Sequence, residues 1–576
     1  MTHLVTDAAT FAADAISGFV AANPRYVRPV DGGVVRSTVM PAGRVAVVVG
    51  GGSGHYPSFA GLVGAGLASG AVCGNIFASP SSGQVYRVAA AVDRGAGVLL
   101  SYGNYAGDVL QFGLAAERLR GEGFDVRAVA VTDDVASASL AEIEKRRGIA
   151  GDLVVFKVAG AAAEAGLGLD AVEALALRAN ARTRTLGVAF SGCTLPGARE
   201  PLFTVRSGSM AIGLGIHGEP GLSESPVTTA GELAELLVSR LLSERPSGSA
   251  DRAIVILNGL GTFKYEELFV LFGAVATRLA AAGIAIAASE CGELVTSLDM
   301  AGVSLTLFWA DTELEALWTA PCDTPAFRTG AITAEPDLAV HGADARVSVA
   351  RPQASEEHRE AAAASLAVFR DVCAMIADSE EEFGRIDAVA GDGDHGIGMS
   401  RGSQGALAAA ERVVAEHGGI LELLAEAGEA WSECGGGTSG ALWGIALTAA
   451  GTSLAGAAGL DALAVSHAVD AALFAVQRLG KARVGDKTMI DAFVPFAERL
   501  RGVGTGEALP VAWVAASVAA EDAANATSAL RPVLGRARPH VEASLGHPDA
   551  GAVSLARIAT TAGASLSALL TLSPTE

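Results

Sequence analysis

Asp387, Asp392 and Asp394 stand at offsets 0, +5 and +7 in the stretch Asp387-Ala388-Val389-Ala390-Gly391-Asp392-Gly393-Asp394-His395-Gly396. Two glycines flank Asp392, so the backbone can turn tightly there, and one turn can aim all three carboxylates at one point. Held together without a counter-charge, the three would repel and raise one another's pKa. A hard divalent cation bound through oxygen removes that cost, and such a site suits Mg²⁺ carrying nucleotide phosphates. A lone D-x-D is most simply a solvated acidic turn. Three Asp with two Gly and an adjoining His read as a metal site. The EF-hand register fails, because no glutamate closes it.

A second set of candidates lies far upstream. Arg44-Val45-Ala46-Val47-Val48-Val49 reads as a buried strand that runs into Gly50-Gly51-Gly52-Ser53-Gly54-His55-Tyr56-Pro57. Glycine loops at the C-terminal ends of strands are where open α/β sheets bind ligands. This loop is neither a dinucleotide fingerprint nor a P-loop, since no G-K-[ST] follows. His55 at its tip is the first candidate for chemistry. The strand Gly97 to Tyr102 ends in Gly103-Asn104-Tyr105-Ala106-Gly107-Asp108, with a helix expected from about Val109. Asp108 is either that helix's N-cap or a general base facing the crevice of His55. His217, in Gly215-Ile216-His217-Gly218-Glu219-Pro220-Gly221, lies among small residues at a strand end rather than among large apolar ones, which favours a functional histidine.

These residues need elements to position them. Further strands are expected at Val126 to Val131, Asp152 to Val158 and Thr185 to Phe190, alternating with helices, which implies a mostly parallel sheet. Ser209 to Gly215, Ala253 to Leu257, Ile284 to Ala288 and Leu305 to Trp309 form the strands of a second, smaller α/β unit. Residues 333–356 break the pattern and read as a linker. From Glu357 onwards the periodicity is helical, with glycine-containing loops near residues 391, 436, 480 and 546. Alternate loops of an antiparallel bundle share an end, so backbone donors at the carboxylate-bearing end would cradle phosphate.

Composition bounds the rest. A chain of 576 residues predicts two to four domains. A net charge of −22, from 41 basic and 63 acidic residues, argues against nucleic acid or an anionic membrane as partner. The six cysteines show no C-x-x-C or zinc spacing and read as free thiols of a reducing cytoplasm. The start has no signal-peptide pattern, and the apolar run Gly435 to Leu460, rich in Gly and Ala, reads as a buried helix rather than a membrane span.

The motifs Gly51-Gly52-Ser53-Gly54-His55, Asn104-Tyr105-x-Gly107-Asp108, Arg146-Arg147-Gly148-Ile149-Ala150-Gly151, Cys193-Thr194-Leu195-Pro196-Gly197, Gly215 to Gly221, Gly391 to Gly396 and Gly485-Asp486-Lys487-Thr488-Met489 run nearly the length of the chain. Together they resemble the dihydroxyacetone kinase family in its single-chain, ATP-dependent form. The resemblance implies a ketose-binding part over 1–332, with α/β subdomains at about 1–195 and 196–332, and an antiparallel helical barrel over 357–576 that binds nucleotide. It implies that His217 anchors the substrate as a hemiaminal, with Asp108 and His55 as catalytic partners and Gly52, Ser53, Gly54 and Gly103 lining the ketose. It places Mg²⁺ on Asp387, Asp392 and Asp394. It places ATP on His395, Gly396, Ile397, Gly398, Thr438, Ser439, Gly480, Met489, Arg536, Asp549, Ala550 and Gly551. A homodimer is expected, with the two halves of a site drawn from one chain or from two.

The chain also departs from the family pattern. Tyr56 stands where Glu is usual, Gly103 where Lys is usual, Gly398 where Asn is usual and Ala550 where Pro is usual. Losing the lysine removes a cation and opens space, which points to a longer ketose such as erythrulose, with Tyr56 offering a hydroxyl. The competing enzymes are a dihydroxyacetone kinase and an FAD-cyclising lyase of the same family. A non-catalytic binding module is disfavoured by intact His55, Asp108, His217 and the three aspartates on one chain.

Overall fold

The computed structural model describes residues 4–337, 354–391, 393–455, 457, 460–505, 508–534 and 541–572. The chain divides into two compact units, Met1–Ala345 and Arg346–Glu576.

In the first unit, helix α1 (Phe11–Ala22) precedes a six-stranded sheet of β1 (Val27–Val30), β2 (Gly33–Arg36), β3 (Ala46–Ser53), β4 (Gly70–Ile76), β5 (Val98–Gly103) and β6 (Val126–Val131). Their spatial order is β1-β2-β4-β3-β5-β6. The valine-rich β3 lies parallel between β4 and β5, and β6 continues the parallel run. The helices α2 (Ser82–Val92) and α3 (Ala106–Gly121) follow β4 and β5, and α2 opens with a capping box of Ser81 and Gln84.

A second sheet contains β7 (Thr183–Ala189), β8 (Ser209–Ile212), β9 (Ser223–Pro226), β10 (Arg252–Gly259), β11 (Ala285–Gly292) and β12 (Gly302–Phe308). Its order is β11-β10-β12-β7-β8-β9, and only β10 and β11 run parallel. The mostly parallel expectation therefore holds for the first sheet and not for this one. β7 belongs to the second sheet, so the sheets do not divide near residue 195.

The stretch expected as a strand at 152–158 is helical. It lies in α4 (Gly151–Glu164), every residue of which from Gly151 to Ala163 is buried. α4 packs against β3, β5, β6 and β7 and against the helices α5 (Leu169–Ala181) and α8 (Thr312–Thr319). A helix covered on all sides carries no polar face, so its apolar run is indistinguishable by periodicity from a buried strand. One core, holding Val47, Leu99, Phe156, Ile256 and Phe308, joins both sheets through it. The helices α6 (Ala230–Leu242) and α7 (Tyr265–Ala281) pack on each other and on the second sheet.

The expected linker begins later than residue 333. Val39 donates to the Glu335 carbonyl and Asp337 to that of Ser37, so this end of the segment is tied into the first unit. Residues 338–353 lie outside the described residues. The first helix of the second unit is α9 (Glu356–Asp387), capped by the Ser355 hydroxyl. Then follow α10 (His395–Ala415), α11 (Ile420–Gly435), α12 (Gly437–Ala455), α13 (Ala462–Gly480), α14 (Ile490–Leu500), α15 (Leu509–Ala526), the single turn α16 (Val541–Ser544) and α17 (Ala550–Leu572). Successive long helices pack side by side, and α17 packs against both α15 and α9, closing the all-helical ring. α13 is long and apolar enough to pass for a membrane span by length and composition, and it packs between α12 and α14.

Candidate functional site

His55 and His217, 162 residues apart in sequence, meet with their Nε2 atoms 3.0 Å apart. His55 sits where β3 ends, and its Nδ1 lies 2.8 Å from the Thr296 carbonyl. A carbonyl only accepts, so His55 Nδ1 carries the hydrogen. His217 Nδ1 lies 2.9 Å from Glu219 Oε1, while the His217 amide donates to Glu219 Oε2 at 3.0 Å. With both Nδ1 atoms donating, the facing Nε2 atoms can be bonded only by sharing one proton. Burial first, and then the neighbouring His217, push His55 down to about 3, so His55 is the acceptor of that proton. Burial alone would raise Glu219, but His217, and after it Arg147, outweigh this and hold the carboxylate well below its usual range. Arg147 stands 3.6 Å from Glu219 and is anchored at 2.8 Å to the buried Asp134. The imidazole pair thus has a fixed counter-ion.

Aromatic rings fix the pair's orientation. Phe77 stacks on His55 at 4.9 Å and meets His217 edge-on, and Tyr105 meets His217 edge-on at 4.7 Å. Phe77 adopts φ +53°, a strained conformation for a bulky residue, and such strain gathers at functional sites. Gly54, at φ +106°, leaves room for it: a Cβ there would lie 2.8 Å from the Phe77 ring.

Asp108 occupies the first turn of α3 and is buried, yet the N-cap is Tyr105, without a side-chain cap bond. The capping alternative for Asp108 therefore falls. Burial, only partly offset by a hydrogen bond from Ser79, pushes its carboxyl up to about 7, and Oδ1 has no partner. Ser79 lies two residues from Phe77, so one short turn serves both Asp108 and His55. A carboxyl at that value is matched to proton abstraction near neutrality. Ser53 uses its hydroxyl on the Gly74 carbonyl, at 2.6 Å, and so ties β3 to β4.

Two expectations for the pocket wall are revised. Tyr56 does not supply a hydroxyl to the histidines. It is half exposed, packs against Phe19, and borders an apolar cavity of about 360 Å³ beneath α1. Gly103 does not leave open space either. A Cβ there would lie 3.1 Å from the Tyr105 ring and 3.2 Å from the Gly148 carbonyl, so Tyr105 fills the corner.

In the second unit, Asp387 ends α9 and Asp394 precedes α10. Asp392 and Arg536 lie outside the described residues. Among the described residues, no three His, Cys, Asp or Glu side chains stand close enough to hold a metal ion. The donor set nevertheless fits a hard cation. Burial, then the charge of Asp387, pushes Asp394 up to about 6, which is the repulsion that a bound cation relieves.

Among the described residues, several of the expected nucleotide positions meet across helix ends. His395 Nε2 is bonded to Ser554 at 3.0 Å and its Nδ1 to Ser439 at 3.4 Å, next to Thr438. A Cβ at Gly398 would lie 3.4 Å from the Gly435 carbonyl, and one at Gly551 would lie 3.5 Å from Met489 Cβ. Ile397 is exposed between them. Asp549 accepts from the Ala552 amide near Ala550, and burial, then Asp491 and Asp387, raise it to about 7. Lys487 anchors the 480–489 loop by donating to the Ser544 carbonyl at 2.7 Å. Gly480 abuts Leu442 of α12. The glycine at 396 is explained by packing, since a Cβ would lie 2.0 Å from the Glu380 carbonyl of α9.

Glu219, Arg147, Asp134, Thr296, Phe77 and Tyr105 carried no assigned role in the sequence. Glu219, Arg147 and Tyr105 lay inside motifs already singled out, so spacing to a candidate histidine or aspartate was the available signal. Phe77 and Thr296 gave none.

A Dak1 domain matches residues 17–326 and a DAK2 domain matches residues 389–564. The chain is 54% identical to an L-erythrulose kinase of Pectobacterium atrosepticum, over 97% of this chain and 95% of the relative. It is 53% identical to a D-erythrulose kinase of Mycolicibacterium smegmatis, over 97% and 98%. Among solved structures it resembles the dihydroxyacetone kinase from C. freundii in complex with AMP-PNP and Mg²⁺, at 31% identity and a TM-score of 0.52, over 98% and 99% of the two chains. With both domains present in this order, the chain belongs to the single-chain dihydroxyacetone kinase family.

Proposed function

We propose that the protein is an ATP-dependent kinase that phosphorylates a terminal hydroxyl of a short-chain ketose held covalently on His217, with a four-carbon ketose such as erythrulose as favoured substrate. The observation that carries this reading is the 3.0 Å histidine pair backed by Glu219. His217 Nε2 passes its proton to His55 Nε2 and attacks the ketose carbonyl carbon. The carbonyl π bond breaks, and the resulting alkoxide takes the proton back from His55. The product is a hemiaminal whose imidazolium keeps Glu219 as counter-ion. Glycerol, without a carbonyl, cannot be held this way, so covalency selects as well as orients. Asp108 then takes the proton of the terminal hydroxyl as its oxygen attacks the γ-phosphorus of ATP.

Residues 1–332 serve as the ketose-binding part in this reading and 357–576 as the nucleotide-binding part. Mg²⁺ on Asp387, Asp392 and Asp394 would neutralise charge on the phosphates. Nucleotide contacts fall on His395 to Gly398, Thr438, Ser439, Gly480, Met489, Arg536 and Asp549 to Gly551. A homodimer in the cytoplasm completes the proposal, and sedimentation at micromolar protein checks the dimer. The kinship to kinases named for erythrulose supports the four-carbon choice.

Release of ADP with a panel of three- to five-carbon ketoses tests the reading. Erythrulose is expected to give a kcat/KM roughly tenfold above that of dihydroxyacetone, since one well-placed contact is worth about 1–3 kcal/mol. Preference for dihydroxyacetone overturns the substrate, and absence of ADP with every ketose overturns the kinase.

The metal site has its own test. Asp387→Ala and Asp392→Ala are each expected to keep the fold and to weaken Mg²⁺-dependent nucleotide binding by roughly a hundredfold or more. Unchanged nucleotide affinity at millimolar Mg²⁺ in both variants counts against it.

A further inference from the structure

The kinase reading leaves unexplained how the pocket tells a longer ketose from dihydroxyacetone. Three side-chain oxygens bordering this region are buried without a hydrogen-bond partner: Asp108 Oδ1, Asp152 Oδ1 and the Tyr105 hydroxyl. Asp108 has its role in proton abstraction. The other two have none.

Asp152 is 4% exposed in the first turn of α4. It is not needed to cap that helix. Asp133 already accepts the Ile149 and Gly151 amides, at 2.9 and 2.7 Å. Nor is Asp152 a stabilising charge. Burial, with Asp133 and Asp108 adding repulsion, raises its carboxyl well above the usual range. Those surroundings favour its protonated form, and a protonated carboxyl both donates and accepts, which matches a substrate hydroxyl.

Its surroundings point towards the ketose. A Cβ at Gly148 would lie 2.7 Å from Asp152 Oδ1 and 2.6 Å from Gly103 Cα, so the two are neighbours across a glycine. A Cβ at Gly103 would in turn meet the Tyr105 ring at 3.1 Å, and that ring lies edge-on to His217. Side chains at 103 or 148 would intrude on this corner. Glycine at both lets Asp152 Oδ1, the 103–105 turn and the Tyr105 ring pack closely together beside the His217 imidazole. Buried polar atoms left unpaired are costly, and a site built to bond a hydroxyl discriminates strongly against an analogue lacking it.

We propose that Asp152, assisted by the Tyr105 hydroxyl, is the specificity-determining residue that binds the additional hydroxyl of a four-carbon ketose. The inference rests on the ketose-kinase reading above. It is tested by the ratio of kcat/KM for erythrulose to that for dihydroxyacetone. Asp152→Ala is expected to lower the ratio tenfold or more. Asp152→Asn, which keeps an acceptor and a donor in the same shape, should stay within threefold of wild type. Tyr105→Phe should lower the ratio at least threefold. An unchanged ratio in Asp152→Ala, or equal losses on both substrates in the alanine and asparagine variants, overturns the proposal and assigns Asp152 to folding alone. If thermal melting shows that Asp152→Ala does not fold, Tyr105→Phe decides, and an unchanged ratio there overturns it. A wild type that phosphorylates no ketose fails the kinase reading instead, whereas a wild type preferring erythrulose with variants that keep that preference fails only this inference.

Discussion

Replacing His217 by alanine is expected to lower kcat/KM for the ketose by roughly 10³-fold or more, because the tether that converts a bimolecular encounter into an oriented one is lost. The residue has no substitute nearby. His55 has its Nδ1 committed to Thr296, and burial, then His217, outweigh Glu219 and hold it neutral. Glu219, which orients His217 through both its ring and its amide, would lose its main partner. Selectivity should relax along with rate, so polyols and ketose analogues lacking a free carbonyl should bind comparatively better than in the wild type. Crystals of the wild type soaked with ketose and no ATP should show continuous density from His217 Nε2 to a tetrahedral carbon. Wild-type ketose affinity in the alanine variant would sink the covalent reading.

Asp108→Asn should be nearly as damaging, but it differs in one respect that separates catalysis from folding. A positioned general base contributes typically 10²–10⁴-fold, so kcat should fall by about that range. In the wild type, kcat should rise with pH through about 7, because the carboxyl must shed its proton to act. Stability should move the opposite way. The folded-state value of about 7 lies above the ordinary 3.8, so the protonated form is preferred in the folded state. The stability this group contributes is therefore full below its unfolded value and is lost as pH rises through the folded one. Asparagine carries no charge to bury, so the variant should be more stable than wild type at about pH 8, by roughly 1–3 kcal/mol, with the gap closing towards about pH 4. Urea melts at both pH values check this. A variant less stable than wild type at the higher pH, or a flat kcat profile across neutrality, rules out the buried-base account.

Asp108 also shows where a local reading stops. An aspartate at a strand-to-helix junction is as good an N-cap as a base, and nothing nearby in sequence separates the two. The structure separates them, because α3 begins at Ala106 and leaves Oδ1 buried without a partner. Asp152 is the sharper case. Its stretch reads as a strand in the sequence, and no strand reading places a carboxylate at the mouth of a buried helix. Only the packing of both sheets onto α4 makes that run helical and its first turn part of the site. Tyr56 erred the other way: adjacency to His55 in sequence said nothing of direction, and its ring turns towards α1.

The sequence by itself determined the order of the two units, the all-helical character of the second, the glycine loop after β3 and the choice of candidate residues, His55, Asp108, His217 and the aspartates around Asp392. Those follow from periodicities and spacings of a few residues, which local sterics and burial impose directly. The tertiary structure alone decided which nitrogens of His55 and His217 face each other, which partners fix their hydrogens, and which buried oxygens are left for substrate. The Glu219 bond to His217 is local, but the bonds from His55 to His217 and to the Thr296 carbonyl join groups 162 and 241 residues apart. No local pattern encodes such a pairing, because only the packing of whole elements places one side chain's donor against another's acceptor.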